Sequence, residues 1–104
     1  MPSSKYLVRL LSIAEQDLVD FLSYVAAENT RVATELLDQI EARLEALQFH
    51  PFAGRIPHNP KLTALGYRVL VIDNYLVFYK VKSKVVLVYR ILHGARDILH
   101  LLSE

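Results

Sequence analysis

Two different periods of apolar and polar positions divide the chain into segments. Residues 5–11 (KYLVRLL) alternate with a period of two, which predicts a short strand. The two stretches that follow carry apolar side chains at helical spacing, so we predict one helix from Ile13 to about residue 28 and a second over residues 31–48. The link between them, Asn29-Thr30, is so short that the helices should pack as an antiparallel hairpin.

Polar residues mark where these helices begin and end. Ser12 and Glu15 have the spacing of a capping box, which predicts the start of the first helix. Asn29 is suited to cap the second helix, and Pro51 ends it because the residue before a proline avoids the α conformation. Residues 50–65 contain three of the four prolines, and we predict a long loop without regular structure there.

The second half of the chain is rich in β-branched and aromatic residues. These runs predict strands at residues 67–72, 75–82 and 85–92. Asp73-Asn74 and Ser83-Lys84 join the strands as two-residue turns. The pairs that this register predicts are Arg68 with Tyr79, Tyr79 with Val88 and Val77 with Arg90. Residues 97–103 predict a short helical tail.

The predicted register separates the strand residues into two faces. One face carries Arg68, Tyr75, Tyr79 and Arg90, and we interpret it as exposed and functional because it holds the polar groups. The opposite face is more apolar through its centre, so we expect it to receive the helices. A slip of one residue would exchange the two faces. The chain is thus predicted to be a single α+β domain over residues 1–104.

Composition adds limits to this outline. Hydrophobic residues make up 53% of the chain and its mean hydropathy is +0.24, which indicates either a well-filled core or apolar surface reserved for a partner. The sequence has no apolar run near 18 residues and no signal-peptide pattern, so we expect no membrane association. The absence of cysteine excludes disulfides and thiolate metal sites and fits a reducing cytoplasm.

Charge is distributed unevenly although the net charge is only +1. Residues 1–54 carry four basic and eight acidic side chains, whereas residues 55–104 carry eight basic and three acidic ones. A basic half suggests an anionic partner, either a nucleic acid or an acidic peptide. Ordinary solvated charge on two different elements explains the same distribution.

The basic residues of the predicted sheet suggest one kind of chemistry. Arg68, Tyr79 and Arg90 share a face, with His93 and Arg96 just beyond its edge. Guanidinium groups match phosphate, tyrosine rings can stack on unpaired bases, and His93 could act as the general base of an RNA cleavage. The alternative is that Arg68 and Arg90 pair with an acidic peptide or a helix carboxylate while His93 forms a hydrogen bond in a turn.

Motifs for other chemistries are absent from the sequence. There is no glycine-rich phosphate loop and no nucleophile elbow. The four histidines lack the spacing of metal ligands. We therefore expect neither a metal nor a cofactor.

Several short motifs occur in an order that covers nearly the whole chain. They are A-x-x-D-L from Ala14 to Leu18, P-x-x-G-R from Pro51 to Arg55, G-Y-R from Gly66 to Arg68, V-F-Y-K-V from Val77 to Val81, and R-I-L-H-G-A-R-D from Arg90 to Asp97. In this order the chain resembles the RelE/ParE superfamily of type II toxin–antitoxin toxins, also called plasmid-stabilisation proteins. The resemblance implies a β-α-α-β-β-β fold in which a helical hairpin packs on a small curved antiparallel sheet.

The superfamily contains two mechanisms. RelE-like toxins cut mRNA on the ribosome with a cluster of basic residues and a late tyrosine or histidine, whereas ParE-like toxins inhibit DNA gyrase and need no nuclease site. Leu76 stands where RelE-like toxins place a catalytic arginine, and the tail DILHLLSE has no tyrosine. Both departures favour the ParE-like branch. If the chain is a ribonuclease, the resemblance leaves Arg68, His93 and Arg96 as its catalytic residues.

The resemblance also implies partners. A cognate antitoxin would wrap its C-terminal segment across the apolar and basic surfaces, and the isolated chain would self-associate, as a homodimer for example, through the same surface. The residues that we expect to bind the target or the antitoxin are Arg55, Arg68, Tyr75, Tyr79 and Arg90. A third possibility is a non-toxic module that binds an antitoxin and leaves growth unaffected.

Overall fold

Two long helices pack against one four-stranded sheet in this chain. The structure, a computed structural model, describes residues 5–94, so the predicted tail at 97–103 and Arg96 lie outside the described residues. The elements in chain order are β1 (Leu7–Leu10), α1 (Ser12–Glu28), α2 (Thr30–Ala46), α3 (Pro60–Ala64), β2 (Arg68–Ile72), β3 (Tyr75–Lys82) and β4 (Val85–His93). The α+β class, the helical hairpin and the order of the two long helices and four strands along the chain are as the sequence predicts. None of the helices in the described part is long and apolar enough to cross a membrane.

The sheet is mixed, not wholly antiparallel as expected. Its strand order is β1-β4-β3-β2, with β1 parallel to β4 and the other neighbours antiparallel. The helical hairpin follows β1 and carries the chain away before it returns as β2, β3 and β4. Alternating apolar residues identify β1 as a strand but do not say which strand it pairs with.

The register of the hairpins is confirmed except at a bulge. Arg68 lies opposite Tyr79, and Tyr79 lies opposite Val88, as predicted. Asp73 and Ser83, which open the two turns, both have φ of 56°, a conformation that short hairpins require. Beyond Tyr79 the register shifts by one residue. The predicted pair of Val77 with Arg90 is therefore wrong, because Val77 pairs with Ile91 and Phe78 pairs with Arg90.

The helices cover the face that the sequence predicted to be exposed. Tyr79 is fully buried and Tyr75 is 8% exposed, both in the main core between the sheet and the helices. This core consists of Ala14, Leu36, Ile40, Leu44, Leu47, Leu70, Ile72, Tyr75, Val77, Tyr79, Val86, Val88 and Ile91. The opposite face carries a smaller cluster of Leu62, Tyr67, Val69, Phe78 and Leu92. The assignment of the two faces was thus wrong, because the buried tyrosines find partners that their polarity alone does not reveal.

Only one of the two predicted helix caps is present. The capping box is wrong: Leu11 is the N-cap of α1, no side chain bonds to its free N–H groups, and Ser12 already lies in the first turn. The cap at Asn29 is confirmed, because its side-chain oxygen accepts a hydrogen bond of 3.2 Å from the N–H of Val32.

The cap at Asn29 supplies a first stability prediction. Asn29→Ala should lower the free energy of unfolding by about 1 kcal/mol, because the N–H of Val32 loses its acceptor. Urea denaturation followed by circular dichroism measures this difference. Glu41→Ala, at an exposed position in the middle of α2, is the control and should change the free energy by less than about 0.5 kcal/mol. Equal effects of the two substitutions would contradict the capping role.

The segment 50–65 is more regular than predicted. The backbones of Arg55 and Val69 form two hydrogen bonds, in which the N–H of each residue donates to the carbonyl oxygen of the other. Both nitrogen–oxygen distances are 2.9 Å. The short helix α3 begins after Asn59, whose side chain accepts hydrogen bonds from the N–H groups of Lys61 and Leu62. The sequence held a signal for α3 that we missed, since an N-cap asparagine followed by Pro60 is a typical helix start.

Candidate functional site

Arg68 and Tyr79 fasten a loop segment to the sheet. We call residues 52–55 the strap. The Arg68 guanidinium donates to the carbonyl oxygens of Gly54 at 2.9 Å and of Phe52 at 3.2 Å, and it lies 4.9 Å from the centre of the Phe52 ring. The N–H of Gly54 donates to the Tyr79 hydroxyl at 2.8 Å. These polar groups, which we expected to bind a partner, therefore bind the protein itself.

Arg90 forms a salt bridge with α1. Its guanidinium donates to both carboxylate oxygens of Asp17, at 2.8 and 2.9 Å, and the two side chains are only 16% and 14% exposed. The N–H of Ile91 also donates to Asp17, at 3.1 Å. These hydrogen bonds to Asp17 raise the pKa of Arg90 above its ordinary value. Of the two interpretations of Arg90 in the sequence, pairing with a helix carboxylate is the one that the structure shows.

His93 belongs to a row of rings at the end of β4. Its ring lies 4.8 Å from that of Tyr75, which in turn stacks on Phe21 at 4.2 Å. His93 is exposed, whereas burial raises the pKa of Tyr75, with a further contribution from the charge of Asp73. The Tyr75 hydroxyl is therefore protonated at neutral pH and cannot serve as a base. The arrangement provides aromatic contact area around His93.

Arg68 and His93, the two described residues among those proposed for RNA cleavage, are not brought together. Arg68 lies opposite Tyr79 on β3, whereas His93 lies opposite Tyr75, four residues away along the same strand. Strand spacing and rise place the backbones of Arg68 and His93 about 16 Å apart. The Arg68 side chain is also held at the strap. Two groups at this distance do not contact one phosphate.

The opposite face of the sheet carries Lys80, an unusual charge within a strand to which the sequence analysis assigned no role. The Lys80 ammonium lies 4.6 Å from the centre of the Tyr67 ring and 4.9 Å from that of Tyr89. Burial lowers the pKa of Lys80, and the charge of Lys82 lowers it further. A lysine inside an otherwise apolar strand was the signal available in the sequence. Its location between two rings follows from the register and the bulge at Tyr89.

An open groove of about 590 Å³ lies between α1 and the end of the sheet, and we call it the end groove. Its lining consists of Asp17, Asp20, Phe21, Tyr24, Val25, Tyr75, Ile91, Leu92 and His93. A neighbouring hollow of about 240 Å³ shares Val25, Tyr75 and His93 and extends towards Val32 and Glu35 of α2. Tyr24 is 76% exposed, which is unusual for so large an apolar ring. The end groove thus offers apolar contact area with carboxylates at its margin.

The fold of this chain is similar to that of small proteins in two solved toxin–antitoxin structures. Similar chains occur in the solved structure of the chromosomal ParDE toxin–antitoxin system from P. aeruginosa, with a TM-score of 0.71, 22% identity, and coverage of 89% of this chain and 100% of that one. They also occur in the toxin–antitoxin complex RelBE2 from Mycobacterium tuberculosis, with a TM-score of 0.60, 18% identity, and coverage of 86% and 98%. At these identities the likeness shows a shared fold.

Sequence comparison then identifies the family. The model of the ParE toxin of the type II toxin–antitoxin system parDE matches residues 8–98. The chain therefore belongs to the ParE toxin family, as its motifs predicted. A search of curated proteins finds no chain that is similar in sequence.

Proposed function

We propose that this ParE-family toxin inhibits DNA gyrase by binding to it and that a cognate antitoxin neutralises it. The observation that carries the proposal is the engagement of Arg68 and Arg90, the two sheet arginines that the sequence analysis considered for phosphate binding. Arg68 binds carbonyl groups of the strap and Arg90 binds Asp17. Leu76 is apolar where RelE-like toxins place an arginine, and a ribonuclease that lacks this group should lose about 2–4 kcal/mol of transition-state stabilisation. A target in the cytoplasm agrees with a chain that has no cysteine.

Inducible expression tests the proposed target. We expect growth arrest with loss of plasmid supercoiling and a DNA-damage response, while messenger RNA stays intact. Coexpression of the adjacent small reading frame should restore growth and yield a stable complex. Cuts in messenger RNA that follow the codon phase would instead support the ribonuclease alternative. Normal growth on induction would support a non-toxic antitoxin-binding module.

The end groove is the surface that we assign to the antitoxin. Phe21, Tyr24 and Tyr75 supply aromatic rings to the end groove, and Asp20 lies among its lining residues. Glu35 lines the neighbouring hollow. Such a surface is complementary to an amphipathic segment that has apolar side chains on one side and basic residues beside them. Burying an exposed ring as large as that of Tyr24 would also supply much of the binding energy.

A single substitution tests this assignment. Tyr24→Ala should weaken the complex with the cognate antitoxin at least tenfold, because the ring would leave an interface core. The stability of the free toxin should hardly change, since the ring is 76% exposed. Val19→Ala is the matched control, as Val19 is 56% exposed on the same helix but does not line the groove. Isothermal titration calorimetry gives both affinities. Equal affinities for the two variants would place the antitoxin elsewhere.

A further inference from the structure

A second surface, at the opposite end of β4 from His93, alternates cations with aromatic rings. We call it the basic–aromatic surface and define it as Lys5, Tyr6, Phe49, Phe52, Arg68 and Lys84. The Lys84 ammonium lies 4.6 Å from the centre of the Tyr6 ring, and the Tyr6 and Phe52 ring centres are 6.5 Å apart. Arg68 continues the row over Phe52 at 4.9 Å. The direct contacts make these four residues one connected surface.

Neighbouring residues extend this row. The N–H of Tyr6 donates to the carbonyl oxygen of Gln48 at 2.9 Å, which brings the start of β1 beside the end of α2. Phe49 follows Gln48 directly, and the Lys5 ammonium lies 6.0 Å from its ring centre. Three cation–π contacts therefore lie at this end of the molecule.

Two of the three rings of this surface do little for the core, whereas Tyr6 is partly buried against it. Phe49 is 54% exposed and Phe52 is 56% exposed, although both are large apolar side chains. Among residues 5–94, no carboxylate lies within salt-bridge distance of Lys5, Arg68 or Lys84. Exposed rings beside cations that have no acidic partner form a surface with unused capacity for both stacking and negative charge.

We propose that the basic–aromatic surface binds single-stranded nucleic acid. Lys5 and Lys84 would contact phosphates, and unpaired bases would stack on the exposed parts of Phe49 and Phe52, while Arg68 holds the Phe52 strap in place. An acidic peptide would use the cations but would gain little from two flat exposed rings. A base has a π face whatever its sequence, so recognition by these rings and cations would be sequence-tolerant. The proposal does not rest on gyrase as the target, and its test uses neither gyrase nor antitoxin.

Fluorescence anisotropy of a fluorescein-labelled twelve-residue oligothymidylate tests the proposal with the full purified chain. Phe52→Leu should weaken binding about tenfold, because it keeps an apolar side chain but removes the stacking face, whereas Phe52→Tyr should retain binding. Lys84→Gln should reduce the slope of log K against log salt by about 0.7. Val19→Ala and Lys61→Gln, which lie on other elements, are the controls and should bind like the unaltered chain.

Three outcomes would overturn the proposal. The first is an oligonucleotide that fails to bind the unaltered chain at low salt. The second is equal binding by the Phe52→Leu and Phe52→Tyr variants, which would remove the role of stacking. The third concerns competition by poly-glutamate and by unlabelled oligothymidylate. If both displace the labelled oligonucleotide at the same concentration of negative charge, the surface would be a site for acidic peptides. Circular dichroism melting of each variant verifies that it is folded.

Discussion

Gly54→Ala is expected to lower the free energy of unfolding by about 2–4 kcal/mol. A Cβ atom at this position would lie 2.6 Å from the Tyr79 hydroxyl oxygen, 2.8 Å from a carbon of its ring and 2.9 Å from the carbonyl oxygen of Val69. The ring is fully buried and Val69 is held by the bridge to Arg55, so neither can move aside freely. The strap would shift outward and its hydrogen bond to Tyr79 would weaken. Urea denaturation measures the loss.

A companion variant separates crowding from the hydrogen bond. Tyr79→Phe keeps the ring but leaves the buried N–H of Gly54 without its acceptor, which should cost about 1–2 kcal/mol. In the double variant the shortest contact at Gly54 is gone, so the combined loss should be smaller than the sum of the single losses. A fully additive pair, or an alanine variant as stable as the unaltered chain, would contradict the role that we give to the strap.

Strand pairs that are fixed by short turns were predicted correctly from the sequence. Features that depend on contacts between residues far apart in the chain were not. The register of β2 with β3 was predictable because the turn between them holds two residues. The register shift beyond Tyr79 was not predictable, because an alternating pattern of residues does not indicate where a strand contains a bulge. Two residues beyond the bulge at Tyr89, the N–H of Ile91 donates to Asp17, which lies 74 residues earlier in the chain. Local pattern carries no information about such a partner.

The inverted sheet faces have a similar origin. Tyrosines within apolar strands suggested an exposed face, but the Tyr79 hydroxyl is satisfied by the N–H of Gly54, 25 residues away. Arg68 and Arg90 were correctly singled out as unusual, yet both bind other parts of the chain. The structure gives the family motifs a physical meaning: Gly54 in P-x-x-G-R admits the Tyr79 ring, and Asp17 in A-x-x-D-L anchors Arg90.

Asp17→Ala is expected to have the other large effect, a loss of about 3–5 kcal/mol in the free energy of unfolding. The substitution would leave the largely buried Arg90 guanidinium without a counter-charge and the N–H of Ile91 without its acceptor. Asp17→Asn should cost less, because its amide oxygen can still accept from one of these donors. Urea denaturation at two salt concentrations measures the losses, which should change little with salt because the pair is shielded from water.

A double-mutant cycle then distinguishes the ion pair from simple packing at this site. Asp17→Ala combined with Arg90→Met removes both charges and keeps an unbranched apolar chain, so the double variant should be more stable than Asp17→Ala alone. Purely additive losses would mean that the two side chains stabilise the fold separately.

The same variants should also bind the antitoxin more weakly, because Asp17 and Ile91 both line the end groove. The variant with the larger loss of stability should show the larger loss of antitoxin affinity. An intact affinity in a strongly destabilised Asp17→Ala variant would show that the antitoxin binds without using this end of the sheet.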